Sequence, residues 1–307
     1  MIKQLLFGLV LCASTFAQRP LGTFTLGSPT TNACPTGASC RNFTVTIPDF
    51  PYAWDGELAV RTPTGQVNAV DVFFSWEAGN AWWGGMPNPN AMVAQFFNSL
   101  LAAGHQVILI RWNNAWYGTS PTRLQLGQLA AACRPATVMQ WVKQHYPSPS
   151  FNVIGTSAGG AAIAYALADY GIVIGKAVVD SGPPFMELRK ACEPYTGYEF
   201  NAGAKGIVDT AYGYYGNGPC IRVDKLFENQ WDANSVETGG VYQYPQTVVH
   251  LIIGTSDNLF IQNRGRDYFN LLTAHGQNAQ YHAITGMGHG VQGSLVGLNT
   301  LLGILTR

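Results

Sequence analysis

Charge is scarce in this 307-residue chain: Lys, Arg, Asp and Glu together make up 11%, with 17 basic residues against 17 acidic. No basic stripe or acidic run breaks the balance, which argues against nucleic acid or an anionic membrane surface as a partner. Cys-x-x-Cys and His-x-x-x-His pairs are missing, so no metal site is expected. Beyond the N-terminus no apolar run is long enough for a membrane span. Internal repeats and low-complexity tracts are absent too. What remains is a globular chain, 47% hydrophobic, with ample material for a buried core.

The N-terminal 17 residues have the layout of a signal peptide. Lys3 supplies the charge, Leu5 to Cys12 the apolar stretch, and Thr15-Phe16-Ala17 a small-x-small cleavage site. Secretion is therefore expected, extracellular or, in a Gram-negative host, periplasmic. Residues 18–307 form the expected mature domain. Its five cysteines would then meet an oxidising compartment, and the pairs nearest in sequence are Cys34–Cys40 and Cys192–Cys220. Cys133 sits in an apolar helical stretch and reads as a buried free thiol. The odd count leaves other pairings open.

Arg19 to Thr44 is rich in Pro, Thr, Ser and Gly and reads as a loop-like leader. Strands are expected at 43–48, 57–61 and 70–75, the last apolar enough to be buried on both faces. After them the pattern alternates. Helical periodicity covers 91–103, 124–144, 264–275 and 294–305, and apolar runs cover 106–111, 151–154, 175–180, 247–253 and 279–284. Such alternation implies an α/β fold, a mostly parallel sheet with crossover helices. The stretch from about 185 to 244 breaks it with Gly, Tyr, Asn and Pro. A linker of that length is out of place in a compact domain, so an inserted lid is expected there.

Phe151-Asn152-Val153-Ile154-Gly155-Thr156-Ser157-Ala158-Gly159-Gly160 is the densest chemical signal. A Gly-x-Ser-x-Gly pattern between strand and helix places a serine hydroxyl on a sharp, strained bend. Serine becomes a nucleophile only beside an imidazole that takes its proton and a carboxylate that orients the imidazole. Of six histidines only His289, in Gly286-Met287-Gly288-His289-Gly290, lies in a loop between the last strand and last helix. Asp257 follows a strand directly and is the favoured acid; Asp180, which ends the strand after the serine, is its rival. The order Ser157, Asp257, His289, each after a parallel strand, resembles the α/β-hydrolase superfamily over nearly the whole mature chain. An HGGG stretch is missing, a departure from the hormone-sensitive-lipase type of esterase. Subtilisin-like peptidases share Gly-Thr-Ser, but their acid and histidine precede the serine.

The resemblance implies an oxyanion hole made of the N–H of Ala158 and one from the loop after Ser75, at Glu77 or its neighbour Trp76. Trp82, Trp83, Trp112 and Trp116 lie on loops of the same sheet edge and are candidates for the substrate wall, with packing of those loops as the other reading. The reading is a secreted serine hydrolase of carboxylic esters, acting on a small-molecule or polymeric ester through an acyl-enzyme, with no cofactor. A peptidase or amidase of the same fold and a binding protein on a hydrolase scaffold stand as alternatives.

Overall fold

The computed structural model describes residues 18–31, 33–48, 50–119 and 125–307. The proposed signal peptide lies outside them. One sheet contains nine strands: β1 (Thr23–Thr30), β2 (Ser39–Ile47), β3 (Phe50–Arg61), β4 (Ala69–Phe74), β5 (His105–Trp112), β6 (Ser150–Thr156), β7 (Lys176–Asp180), β8 (Val248–Gly254) and β9 (Ala279–Ile284). Their spatial order is β1-β2-β3-β5-β4-β6-β7-β8-β9. The first three strands pair antiparallel, and β3 meets β5 antiparallel. From β5 through β9 every pairing is parallel.

Helices cover both faces, as parallel strands buried on two sides require. On one face α1 (Ala91–Ala102) and α10 (Leu295–Leu305) pack over Phe73, Leu109, Ile154, Val178 and Ile252. On the other, α3 (Cys133–His145), α4 (Ala158–Ala168) and α9 (Leu259–Ala274) cover Val72, Ile108, Val153, Val179 and Leu251. Adjacent residues such as Val72 and Phe73 thus feed opposite cores, the two-residue period of a strand at work. Asn90 starts α1 by accepting the Val93 N–H at 3.0 Å, and Ser294 starts α10 by accepting that of Gly297 at 3.1 Å.

Two local expectations need correction. The leader is not a loop: it contains β1 and most of β2, a hairpin whose polar, half-exposed residues hide the alternation. The long helix expected over 124–144 is broken. A four-residue turn, α2 (Gln128–Ala131), precedes α3, with Pro135 in the first turn of α3, where a missing N–H costs nothing. The stretch between β7 and β8 carries α5 (Leu188–Cys192), α6 (Ala202–Ala211), α7 (Pro219–Arg222) and α8 (Glu228–Ala233). Of these, α5, α7 and α8 have only four to six residues, too short to show periodicity. The disulfides are Cys34–Cys40 and Cys192–Cys220, the second joining α5 to α7. Cys133 is free and buried, and burial raises its thiol pKa.

Candidate active site

The parallel strands end along one edge, and the segments that follow all six of them, β4 to β9, build the site. After β6, Ser157 takes φ 54° and ψ −117°, a strained conformation for a residue with a side chain. The glycines around it are required by contact. A Cβ on Gly155 would fall 2.3 Å from the Gly159 carbonyl, and one on Gly159 would fall 2.6 Å from that of Phe74. Strand and helix can therefore close on each other only if both positions are bare.

After β8 and β9, Asp257 and His289 meet. The His289 Nδ1 stands 3.0 Å from both carboxylate oxygens of Asp257. The Asp257 side chain is fully buried while that of His289 remains 38% exposed. Burial pulls the imidazole down, but the hydrogen bond and charge of Asp257, with Asp180 and Glu77 adding to them, hold its pKa above the ordinary 6.5. Asp257 also accepts the Asn258 N–H at 2.7 Å. Ser157 and His289 line one cavity of about 450 Å³. No hydrogen bond joins the two among the described residues, a common state for such pairs without substrate.

Asp180, the rival acid, is placed otherwise. It is fully buried, and its Oδ2 accepts the Thr156 hydroxyl at 2.7 Å and the Val291 N–H at 3.1 Å. Thr156 Oγ1 in turn accepts from Trp83 Nε1 and Gln292 Nε2. Gly290 N–H reaches Ser181 Oγ at 2.9 Å. This knot ties both residues after His289 to the ends of β6 and β7. Burial, partly offset by its two donors, pushes the Asp180 carboxyl up to about 6. It anchors the histidine loop and does not touch the ring.

Ala158 and Glu77 both line the cavity. Ala158 opens α4 and Glu77 sits at φ 45° on the turn after β4, closed by Gly79 N–H to the Trp76 carbonyl at 2.9 Å. Neither N–H has a partner among the described residues. The turn puts Glu77 and Ala78 on the cavity wall and leaves Trp76 off it. Trp76 is thereby set aside as a donor.

The four tryptophans are not where a substrate wall would need them. Trp82, Trp83, Trp112 and Trp116 are at most 1% exposed, and none lines the cavity. Trp82 donates to the Ala33 carbonyl and lies under Arg111; Trp83 donates to Thr156; Trp112 meets Phe43 edge-on; Trp116 meets Tyr117 edge-on. Packing of the loops is what they do. The aromatic wall is made instead by Tyr117, Phe185, Phe200 and Phe260, with Pro184, Ile207 and Ile261. Phe185, Phe200 and Ile207 come from the aperiodic stretch between β7 and β8, so the sequence offered no handle on them. Among the described residues no cluster of three or more His, Cys, Asp or Glu side chains could hold a metal ion.

A larger hollow, about 730 Å³, opens beside β8, β9 and α10 and is lined in part by Lys176, His250 and His282. It contains no serine and no side-chain carboxylate, so size does not mark the site.

A family model described as alpha/beta hydrolase fold matches residues 81–196, the span from the loop after β4 through α5. No curated protein matches the sequence. Solved structures do. A Pyrococcus horikoshii acylaminoacyl peptidase is similar with TM-score 0.57 and 11% identity, over 88% of this chain and 41% of that one. A carboxyl esterase from Bacillus coagulans is similar with TM-score 0.56 and 11% identity, over 87% and 96%. Carboxyl esterase 2 of the fungus Tuber melanosporum follows at 0.53 and 15%, over 88% and 86%. The chain thus spans less than half of the peptidase but nearly all of the Bacillus esterase. At such identities the likeness is one of fold: this is a protein of α/β-hydrolase fold.

Proposed function

We propose that this protein is a secreted serine hydrolase of carboxylic esters. Ser157 Oγ attacks the ester carbonyl while His289 takes its proton. Asp257 holds the imidazole with Nδ1–H towards it, which leaves Nε2 as the base, and stabilises the imidazolium. The oxyanion is received by the Ala158 and Glu77 N–H groups. His289 then protonates the leaving alcohol, the acyl group stays on Ser157, and a water activated by His289 releases the acid. The reading rests above all on one arrangement: a serine at φ 54° sharing a cavity with a histidine paired at 3.0 Å to both oxygens of a buried aspartate.

The stretch between β7 and β8 supplies a wall of this cavity and is read as the inserted lid. Ester over amide is favoured by the cavity itself, which is apolar, open and without a cationic side chain to hold a peptide carboxylate. Short-chain aryl and alkyl esters assayed beside peptide anilides test the choice. Ester kcat/KM should exceed anilide kcat/KM by orders of magnitude; anilide turnover without ester turnover would make the protein a peptidase.

A further inference from the structure

The wall of the cavity has a support of its own. Phe200 and Phe260 pack edge to face with centroids 5.1 Å apart, as do Tyr117 and Phe185 at 6.2 Å. Behind the first pair lies Arg264 of α9, fully buried, its guanidinium 4.5 Å from the Phe200 ring centre and 5.6 Å from that of Phe260. Its Nη1 donates to the Phe260 carbonyl at 3.2 Å and its Nη2 to the Tyr198 carbonyl. Among the described residues no carboxylate forms an ion pair with it. Burial lowers the group only to about 10, so it stays cationic at neutral pH.

On either side of Arg264 the same helix grips the same segment. Asn263 Nδ2 donates to the Gly197 carbonyl at 2.8 Å, and Tyr198 donates its hydroxyl to Asp267 at 2.6 Å. Residues 263, 264 and 267 thus stitch chain 197–198 to α9, two residues before Phe200. A buried cation is costly to keep unless its bonds are needed. Here they fix one half of the wall, and the cation faces the two rings, an attractive geometry.

The chemistry of the cavity is lopsided. Glu77, exposed at the rim, is its one carboxylate, and it has no lysine or arginine. Tyr117 keeps its proton, since burial and then Glu77 raise its pKa. An anionic substrate group would lose its water, meet no lysine or arginine and face Glu77. A flat, uncharged ring would meet the edges and faces of fixed aromatic side chains at little ordering cost.

We propose that this cavity selects esters carrying an uncharged aromatic group, and that Arg264 is the positioning residue that sets the selectivity by holding the Phe200–Phe260 wall. The inference rests on the ester-hydrolase reading and deepens it. The ring can belong to the acid or to the alcohol, and the substrates separate the two sources.

The test is pH-stat hydrolysis of methyl phenylacetate (aromatic acid) and benzyl acetate (aromatic alcohol) beside ethyl acetate, methyl butyrate and monomethyl succinate. At least one aromatic ester should exceed ethyl acetate in kcat/KM by about tenfold or more, and the succinate should fall about a hundredfold below methyl butyrate. Phe200→Ala should cut the aromatic-to-acetate ratio by about tenfold. Arg264→Leu, with Arg264→Lys as the milder change that keeps charge but not the planar fork, should raise KM for the aromatic ester selectively. A general loss of fold would instead lower ethyl acetate turnover equally. Fluorophosphonate labelling of the same preparation separates the two levels. Labelled Ser157 with no aromatic preference, or with a preference untouched by Phe200→Ala, overturns this inference alone. No labelling and no ester turnover overturns the hydrolase reading and this inference with it.

Discussion

Two aspartate–histidine pairs sit at opposite ends of the sheet, and only one has the surroundings of a catalytic pair. At the end where the parallel strands begin, Asp71 Oδ2 stands 2.7 Å from His105 Nδ1, and its Oδ1 accepts from Asn152 Nδ2 at 2.8 Å. Both side chains are buried, with exposures of 0% and 7%, and the acid lies within β4 with its partner on β5. At the other end His289 is 38% exposed, hangs on a glycine-flanked loop and shares a cavity with a strained serine. The first pair joins three strands by satisfying their buried polar groups; the second leaves one imidazole nitrogen free to act. Pairing distance does not tell them apart. Exposure, backbone strain and a neighbouring hydroxyl do.

The sharpest break in the comparison is Ser157→Ala, expected to cut ester kcat by about a millionfold while the fold persists. Next, Asp257→Asn should cost about 10⁴-fold, because asparagine holds the wrong imidazole tautomer. Asp180→Asn, whose amide oxygen can still accept from Thr156 and Val291, should stay within about tenfold of the parent. Steady-state assays of the two variants reveal which aspartate serves His289, and a reversed order would refute Asp257 as the acid of the proposed triad. pH comes third. His289 must be neutral to act as base, and its pKa is raised, so kcat/KM should fall as pH drops through a midpoint above 6.5, about tenfold per unit below it. In Asp257→Asn the midpoint of any residual activity should move down. The smallest effect on turnover belongs to the buried pair. Asp71→Ala removes the partner of His105 Nδ1 and of Asn152 Nδ2 and should lower stability by about 3 kcal/mol, read by denaturant melts, with activity per folded molecule unchanged.

The same contrast explains what the sequence let one read. Ser157, Asp257 and His289 each follow a parallel strand, so the strand pattern alone assigns them to one edge, and the spacing of glycines marks the serine bend. Asp180 ends β7 and Asp257 stands three residues beyond β8, so both fall on the same edge; position favours Asp257, and what each touches separates it from its rival. Trp82, Trp83, Trp112 and Trp116 stand on loops of the correct edge, yet loop residues have no period to say which way they point. Their burial depends on distant partners such as Phe43, Arg111 and Thr156. The cavity wall, with Phe185, Phe200 and Phe260, draws on a segment of short helices whose positions are fixed by α9 and a disulfide, contacts invisible in local sequence. β1 escaped notice because it is half exposed and its alternation is brief: Phe24 and Leu26 face the core, and Gly27 then ends the pattern.

Whether Ser157 is the nucleophile decides the rest, and an active-site-directed fluorophosphonate followed by peptide mass mapping addresses it most directly. One stoichiometric adduct is predicted, on Ser157, formed by folded protein, absent after denaturation and slowed by orders of magnitude in His289→Ala. Folded protein that takes up no label, or takes it up on another serine, would contradict that role.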